Sequence, residues 1–523
     1  MEPVPSFVHQ FQAAIGSVEA QASSAYHGEK TDITGELQPL AAVYERVRTL
    51  LDYQEERFIR RLAIRRILNR QVLLEQRRTG IGAELLAELV RAAYLESGSF
   101  PVTSAETIDQ VLTIYLQAIP ALSGQAMPTE RIKQQRRLLG IAAAQIEDSL
   151  RSPAVETVLV SHLTTEIRSY DTTLDSLTSQ SIALRALLNA DAELIVWRTE
   201  GAVQTSRWQQ FRGEPTVGAP ALLMQLATVE RLCTTDSFES MVRRFRKLVP
   251  PYRLLTLFAS QSRETIDHLL NTPDALRMGL RDLATKRMAR TRERIRRSML
   301  QATLYLFVTK VVVGIAVEVP FDLVVVGHLV ALPLLINVLM PPTLMICSSI
   351  GIRPPSSLNL ELLVQRTVQL LSETLPPPLP TVSRTSVTRR SALTTLLFWI
   401  FFGGLYLGVF GGIIWLLRAI GFNVMSILVF LFFASVVGFF AFRIRANARE
   451  FSLQSERTGL LVLIIDFLSL PFLQVGRRLS LTVRQLNVVL FVMDFLIEAP
   501  FKLFLRSVED WFAFLREQRD ELH

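Results

Sequence analysis

The chain has 523 residues, a net charge of +8 and only two cysteines, Cys233 and Cys347. This length suggests two or three domains, and two cysteines exclude a disulfide framework of the kind found in small secreted proteins. Before Ser298 charged and apolar residues interleave, whereas the rest of the chain carries long apolar runs. The composition therefore predicts a water-facing part followed by a membrane part.

Residues 1–40 are rich in Ala, Ser, Gln and Gly, and this composition predicts a flexible or weakly helical lead-in. From 41 to 297 apolar residues recur at helical spacing, and no alternating strand pattern appears. We therefore expect 41–297 to form a cytosolic all-α domain.

Arginines alternate with apolar residues between 57 and 78, which predicts a helix with one apolar and one arginine-rich face. We expect Arg57, Arg61 and Arg65 to face anionic lipid headgroups or an acidic partner. The alternative is a solvated helix face with intrahelical ion pairs. Nucleic acid is not an expected partner, because no aromatic platform or recognised nucleic-acid motif accompanies the arginines.

A second basic cluster, which includes Arg290, Arg294 and Arg297, directly precedes the first apolar run. Basic residues are retained on the cytoplasmic side of a membrane, so this cluster predicts a cytosolic first domain and an outward first span. The same three arginines are candidates for contact with lipid headgroups or a partner.

Four apolar runs are long enough to cross a bilayer, which needs about 20 apolar residues per helix. They lie near 300–318, 323–347, 391–417 and 423–442. We therefore predict one transmembrane hairpin within 298–350 and a second within 391–442. Between them, 351–390 reads as a Pro-rich cytosolic linker with a short amphipathic helix near 358–374.

The region 443–505 is predicted to hold a cytosolic loop and two further apolar segments, 459–476 and 486–505. These are either amphipathic or re-entrant helices at the cytoplasmic interface, or a fifth and a sixth span. The region 506–523 is a charged cytosolic tail. Both termini are then cytoplasmic.

Small residues recur every four positions in the third and fourth apolar runs, a spacing that lets membrane helices approach closely. We expect the two runs to pack as a tight antiparallel hairpin; a dimer interface or a pore-lining hinge is the alternative. The residues concerned are Gly404, Gly408, Gly412, Ala434 and Gly438.

A charge deep in a membrane helix is costly unless it is paired, and Lys310 lies well inside the first apolar run. Together with other polar residues it is a candidate for a proton or cation path, or it pairs with one acid and fixes helix register. The candidate set is Lys310, Glu318, His328, Asn337, Asp466, Asp494 and Glu498.

The sequence contains no Walker A, GxSxG, HExxH or GxGxxG pattern, and its histidines lack metal-ligand spacing. We therefore expect no catalytic residue, no cofactor and no metal site.

Several segments resemble, as a set, an uncharacterised family of polytopic inner-membrane proteins of candidate-phyla bacteria that has no known activity. The segments are EVPFD at 318–322, INVLMPP at 336–342, MDFLIEAPFKLFL at 493–505, VEDWFAFLRE at 508–517 and YERVRTLLDYQEERFIRRLAIRRIL at 44–68. The resemblance implies a bacterial inner membrane and nothing about a substrate.

The sequence thus favours an all-α, multi-pass protein of the bacterial inner (plasma) membrane, with a cytosolic multi-helix domain followed by an α-helical transmembrane domain. The leading hypothesis is a non-enzymatic, membrane-anchored scaffold with a cytosolic protein partner. Copies of the chain that assemble into a homo-oligomer are compatible with this hypothesis. The alternative is a channel or ion-coupled transporter that uses Lys310 and intramembrane acids.

Overall fold

The computed structural model is helical throughout the part of the chain that it describes, with no strand in those residues, and the all-α class is confirmed. The described residues are 7–26, 56–92, 94–95, 103–122, 128–261, 263–314, 318–328, 331–350, 357–372, 392–448, 472 and 474–475. Two compact units divide the chain: unit 1 comprises 1–283 and 362–382, and unit 2 comprises 284–361 and 383–523.

Unit 1 is a multi-helix assembly with a continuous apolar core. Its helices are α1 (Phe7–Tyr26), α2 (Glu56–Leu68), α3 (Ile81–Arg91), α4 (Thr103–Ala121), α5 (Pro128–Leu150), α6 (Ala154–Tyr170), α7 (Ser176–Leu188), α8 (Ala192–Val196), α9 (Ser206–Gly213), α10 (Pro215–Thr234), α11 (Asp236–Phe245), α12 (Val249–Phe258) and α13 (Arg263–Asn271). Two π-helical turns, Asn69–Leu74 and Trp197–Gly201, directly follow α2 and α8.

Local sequence signals set several of these boundaries. The Asp175 carboxylate accepts a hydrogen bond of 3.2 Å from the Thr178 backbone N–H and caps the start of α7. At the other end, Asn189 takes a left-handed conformation with φ 49°, which Asn tolerates and which ends the helix. Packing follows from aromatic residues: the Phe211 ring centroid lies 5.4 Å from that of Tyr115 and 5.3 Å from that of Trp208.

The arginine-rich helix α2 turns its charges toward acidic residues of other helices in unit 1. Arg61 pairs with Asp191 at 2.7 Å, Arg65 pairs with Glu193 at 2.9 Å, and Arg57 pairs with Glu156. Their carboxylate partners lie about 100 residues or more along the chain, so the three arginines form ion pairs within unit 1, while the Arg65 side chain is still 41% exposed. The expected contact with lipid headgroups or an acidic partner stays a prediction.

The last buried helix of unit 1 comes from much later in the sequence. Helix α17 (Ser357–Leu371) lies in the segment that we predicted to be a linker, and its residues from 362 onward belong to unit 1. Leu363, Val364 and Leu370 are at most 2% exposed. The amphipathic helix expected near 358–374 is therefore present, and its apolar side is buried.

Unit 2 contains the apolar helices. Helix α14 (Pro273–Val313) begins in unit 1 and continues into unit 2, and it is followed by α15 (Val319–Phe321), α16 (Ala331–Ile350), α18 (Ala392–Ala419) and α19 (Val424–Ala448). A π-helical turn, Asp322–Val326, follows α15. Helices α16 and α19 pack directly against each other.

Among the described residues, one helix is long and apolar enough to cross a membrane. It is Trp399–Ala419, with a mean hydropathy of 2.1 and 6% of its most apolar window buried. Two shorter apolar helices, Leu332–Met345 and Val424–Gly438, accompany it. One such helix gives weak support for membrane association, and the arrangement of four spans stays a prediction.

Candidate functional site

A buried ion pair lies at the centre of unit 2. Lys310, in the last turn of α14, donates from Nζ to Glu318 Oε1 at 2.7 Å, and both side chains are 0% exposed. Glu318 directly precedes the short helix α15. The acid that pairs with the lysine thus follows it by eight positions in the sequence.

Two further helices complete the environment of the carboxylate. Asn337 of α16 donates from Nδ2 to Glu318 Oε2 at 2.7 Å and to the Ser426 backbone carbonyl at 3.1 Å. The Ser426 hydroxyl of α19 donates to the same Glu318 oxygen at 3.4 Å. Both carboxylate oxygens of Glu318 are therefore hydrogen-bonded, and three segments of unit 2 meet on one side chain.

Aromatic and polar contacts extend this cluster. The Lys310 Nζ lies 4.8 Å from the ring centroid of Phe433, a cation–π distance. Asn423 accepts from the Ser426 backbone N–H at 2.8 Å and donates to Asp322. The cluster is buried except at Asn423, which is half-buried, so the Lys310 and Glu318 charges are neutralised by each other rather than by water.

The structure brings together Lys310, Glu318 and Asn337, three members of the set that the sequence nominated. His328 lies in an exposed turn after the π-helical segment that follows α15, and its place in the set stays a prediction. The other nominated residues, Asp466, Asp494 and Glu498, lie outside the described residues.

Sequence reasoning missed Ser426, Asn423 and Asp322. A serine in an apolar helix commonly bonds to its own backbone, so Ser426 gave no signal. The available signals were Asn423, which falls in the short polar break between α18 and α19, and Asp322, which follows Glu318 by four residues.

The expected glycine packing of α18 is not made by the described residues. A methyl group at Gly404, Gly408 or Gly412 would have no described heavy atom of another element within 4 Å. Helix α19 packs on α16 instead, and its Ala434 is 7% exposed. A Cβ at Gly438 would lie 3.6 Å from Phe472. The glycine face of α18 therefore makes no close contact with another described element.

Two of the three nominated arginines of α14 are exposed. Arg290 is exposed, and the exposed Arg297 pairs with Glu293 at 2.9 Å. The side chain of Arg294 lies outside the described residues. This ion pair spans four positions of one helix, and such exposed pairs contribute little to stability.

A second buried network ties α17 into unit 1. Arg366 donates to Glu166 Oε1 at 2.8 Å and to the Tyr170 hydroxyl at 3.3 Å. The Tyr252 hydroxyl donates to Glu166 Oε2 at 2.7 Å and lies 2.8 Å from His162 Nδ1. Since the Tyr252 proton is used on the carboxylate, we assign the Nδ1–H tautomer to His162.

Burial shifts the titration of this network. Desolvation raises the pKa of Tyr252 well above its usual value, and the neighbouring Glu166 charge adds to the rise. Desolvation lowers the pKa of His162, although the Glu166 charge opposes this. The network therefore holds one neutral imidazole, one neutral phenol and one charge pair.

No group of three or more His, Cys, Asp or Glu side chains in the described ranges is arranged to hold a metal ion. The two networks hold buried charge pairs, and neither combines a nucleophile with an adjacent base in an open cleft.

The chain matches no protein-family model, no curated protein and no solved structure. The resemblance described from segments such as 318–322 and 336–342 stays a prediction.

Proposed function

We propose that this protein is a non-enzymatic, membrane-anchored scaffold of the bacterial inner (plasma) membrane, in which unit 1 binds a cytosolic partner and the apolar helices of unit 2 anchor it. The observation that carries the proposal is the buried Arg366–Glu166 pair. It joins the chain before the first apolar run to the chain between the two predicted hairpins.

This pair supports the proposed topology. Glu166 and Arg366 touch, so they lie on the same side of any membrane that the chain crosses. The intervening segment must then cross an even number of times. Two crossings, near 300–318 and 323–347, meet this condition, and the basic residues at 281–297 favour the cytoplasm for unit 1.

The chemistry of unit 2 favours an anchor. Lys310 is paired, both oxygens of Glu318 are occupied, and three segments converge on them. A charge pair with its ligands filled fixes helix register, whereas an ion path needs a site that exchanges its partners.

One observation favours the alternative, a channel or ion-coupled transporter. The Asn337 Oδ1 atom is buried and has no hydrogen-bond partner among the described residues. An unpaired carbonyl oxygen beside a Lys–Glu pair is a ligand for a water molecule or a cation.

The topology is tested with single cysteines in a chain lacking Cys233 and Cys347. Ser161 and Gln365 are exposed positions on α6 and α17. We expect Ser161→Cys and Gln365→Cys to resist an impermeant maleimide in intact cells and to react after permeabilisation. Labelling of only one of them in intact cells would contradict the proposal.

The scaffold is tested by cell fractionation. A cytosolic protein that crosslinks to unit 1 in cells is expected in the membrane fraction of wild-type cells and in the soluble fraction when the chain is deleted. Ion flux in liposomes carrying the purified protein, abolished by a Lys310→Met variant of unchanged stability, would instead establish the transporter.

A further inference from the structure

A solvent-open groove runs along one side of unit 1. Helix α6 forms one wall, α7 forms the other, and the turn after the second π-helical segment closes one end with Ala202 and Val203. The cavity volume is about 720 Å³, within the usual range for binding clefts of about 300–1,000 Å³. The networks described above do not use this groove as a binding site.

The α6 wall is long. It presents side chains from Thr157 to Ser169, about 18 Å at the helical rise of 1.5 Å per residue. An extended peptide of about five or six residues has this length.

The lining is basic and rich in hydroxyl groups. It contains Arg168, Arg198, Gln180 and several serines and threonines, and none of its side chains is acidic. Arg168 is exposed, and no ion pair is described for it. Arg198 is 6% exposed, and its guanidinium is already paired with Asp148 at 2.7 Å and with Glu156 at 3.0 Å. The groove thus offers one available guanidinium group, that of Arg168.

An apolar contact accompanies this charge. Val160 and Leu184 line the groove but are only 5% and 1% exposed, whereas Val203 at its end is 62% exposed. Side chains of an extended peptide alternate in direction, so one set can reach Val203 while the other reaches Arg168.

We propose that the α6–α7 groove binds an extended, acidic segment of a partner protein, with Arg168 as its principal charge contact. This inference rests on the proposed scaffold function and names the partner chemistry. The Arg168 guanidinium selects Asp and Glu, while the exposed Val203 selects an aliphatic residue.

The proposal is tested by panning random seven-residue peptides on the purified full-length protein in detergent micelles. Three variants are compared with the wild type: Arg168→Glu, Val203→Asp and the control Arg212→Glu. Arg212 is also an exposed arginine in the last turn of a helix, but it lies outside the groove. Affinities of enriched peptides are then measured by fluorescence anisotropy.

We expect the enriched peptides to be rich in Asp and Glu and to bind wild type and Arg212→Glu alike. Arg168→Glu and Val203→Asp should weaken binding by about tenfold or more, the change for about 1.4 kcal/mol. Absence of acidic enrichment, or unchanged affinity in Arg168→Glu, would overturn the proposal. Displacement of the peptide by inorganic phosphate, or by phosphatidylglycerol mixed into the micelles, as effectively as by unlabelled peptide would also overturn it.

The groove proposal and the scaffold proposal can fail independently. If the cytosolic protein found by fractionation crosslinks to Arg168→Glu as strongly as to wild type, the groove does not bind it, but the scaffold proposal stands. If acidic peptides bind but the partner's location is independent of this chain, the scaffold is wrong.

Discussion

Replacement of Arg366 by methionine tests whether α17 is held in unit 1 by a buried charge. The side chains of Arg366 and Glu166 are 7% and 5% exposed, and their atoms lie 2.8 Å apart. Methionine keeps most of the apolar stem and removes the charge. Glu166 is then left buried, with only the Tyr252 hydroxyl as a described donor.

The expected cost follows from this burial. Breaking a buried ion pair by removing one partner costs about 3–5 kcal/mol, because the remaining charge is uncompensated. Since 1.4 kcal/mol corresponds to a tenfold change in an equilibrium constant, the ratio of docked to undocked α17 should decrease by a factor of about a hundred to a few thousand. Arg366→Met combined with Glu166→Gln should recover much of this loss, since no buried charge remains.

Two measurements on the purified protein in detergent check this prediction. Denaturant unfolding gives the free energy of unfolding, and limited proteolysis reports cleavage within 351–390. Arg366→Met should lower the free energy of unfolding and accelerate cleavage within 351–390. Glu361→Gln, a charge change at an exposed position of the same helix, is the control and should change neither. Wild-type values for both measurements in Arg366→Met would refute the reasoning.

Three further predictions concern unfolding in detergent. Lys310→Met should lose about 3–5 kcal/mol, and Lys310→Met with Glu318→Gln should lose less; equal losses would argue against a coupled pair. Burial lowers the pKa of His162, so the unfolded chain binds more protons near pH 6. Stability should therefore fall as pH drops below about 6.5, and His162→Gln should flatten that slope; an unchanged slope counts against it. Gly82→Ala places a Cβ against the Ala105 carbonyl and should cost about 1–3 kcal/mol, whereas Gly213→Ala, in open space, should cost less than half as much.

The helical class and much of the buried cluster in unit 2 follow from the sequence. Helical spacing without a strand pattern predicts an all-α chain, and a lysine deep in an apolar run demands an acid. Glu318 and Asn337 were nominated because they are the polar members of neighbouring apolar segments. Ser426 was not, since nothing local distinguishes a serine that bonds its own helix from one that bonds a carboxylate.

Pairing over long sequence distances explains the remaining differences. The arginines of α2 form an exposed stripe by periodicity, but their acids lie on distant helices that only the tertiary fold brings near. Helix α17 has the amphipathic pattern of an independent surface helix. In the sequence, Arg366 cannot be distinguished from an exposed charge on the polar face of this helix, because its partner Glu166 is brought near only by the tertiary fold.

The interrupted sequence of unit 1 also sets an order of events during synthesis. Its last helix is translated roughly 80 residues after the rest of the unit, a delay of about 4–16 s at ordinary elongation rates. During that interval the apolar surface that will contact Leu363 and Leu370 is not yet covered by α17, and Glu166 is not yet paired with Arg366. The first two predicted spans emerge in the same interval, so unit 1 is completed only after both of them have been made.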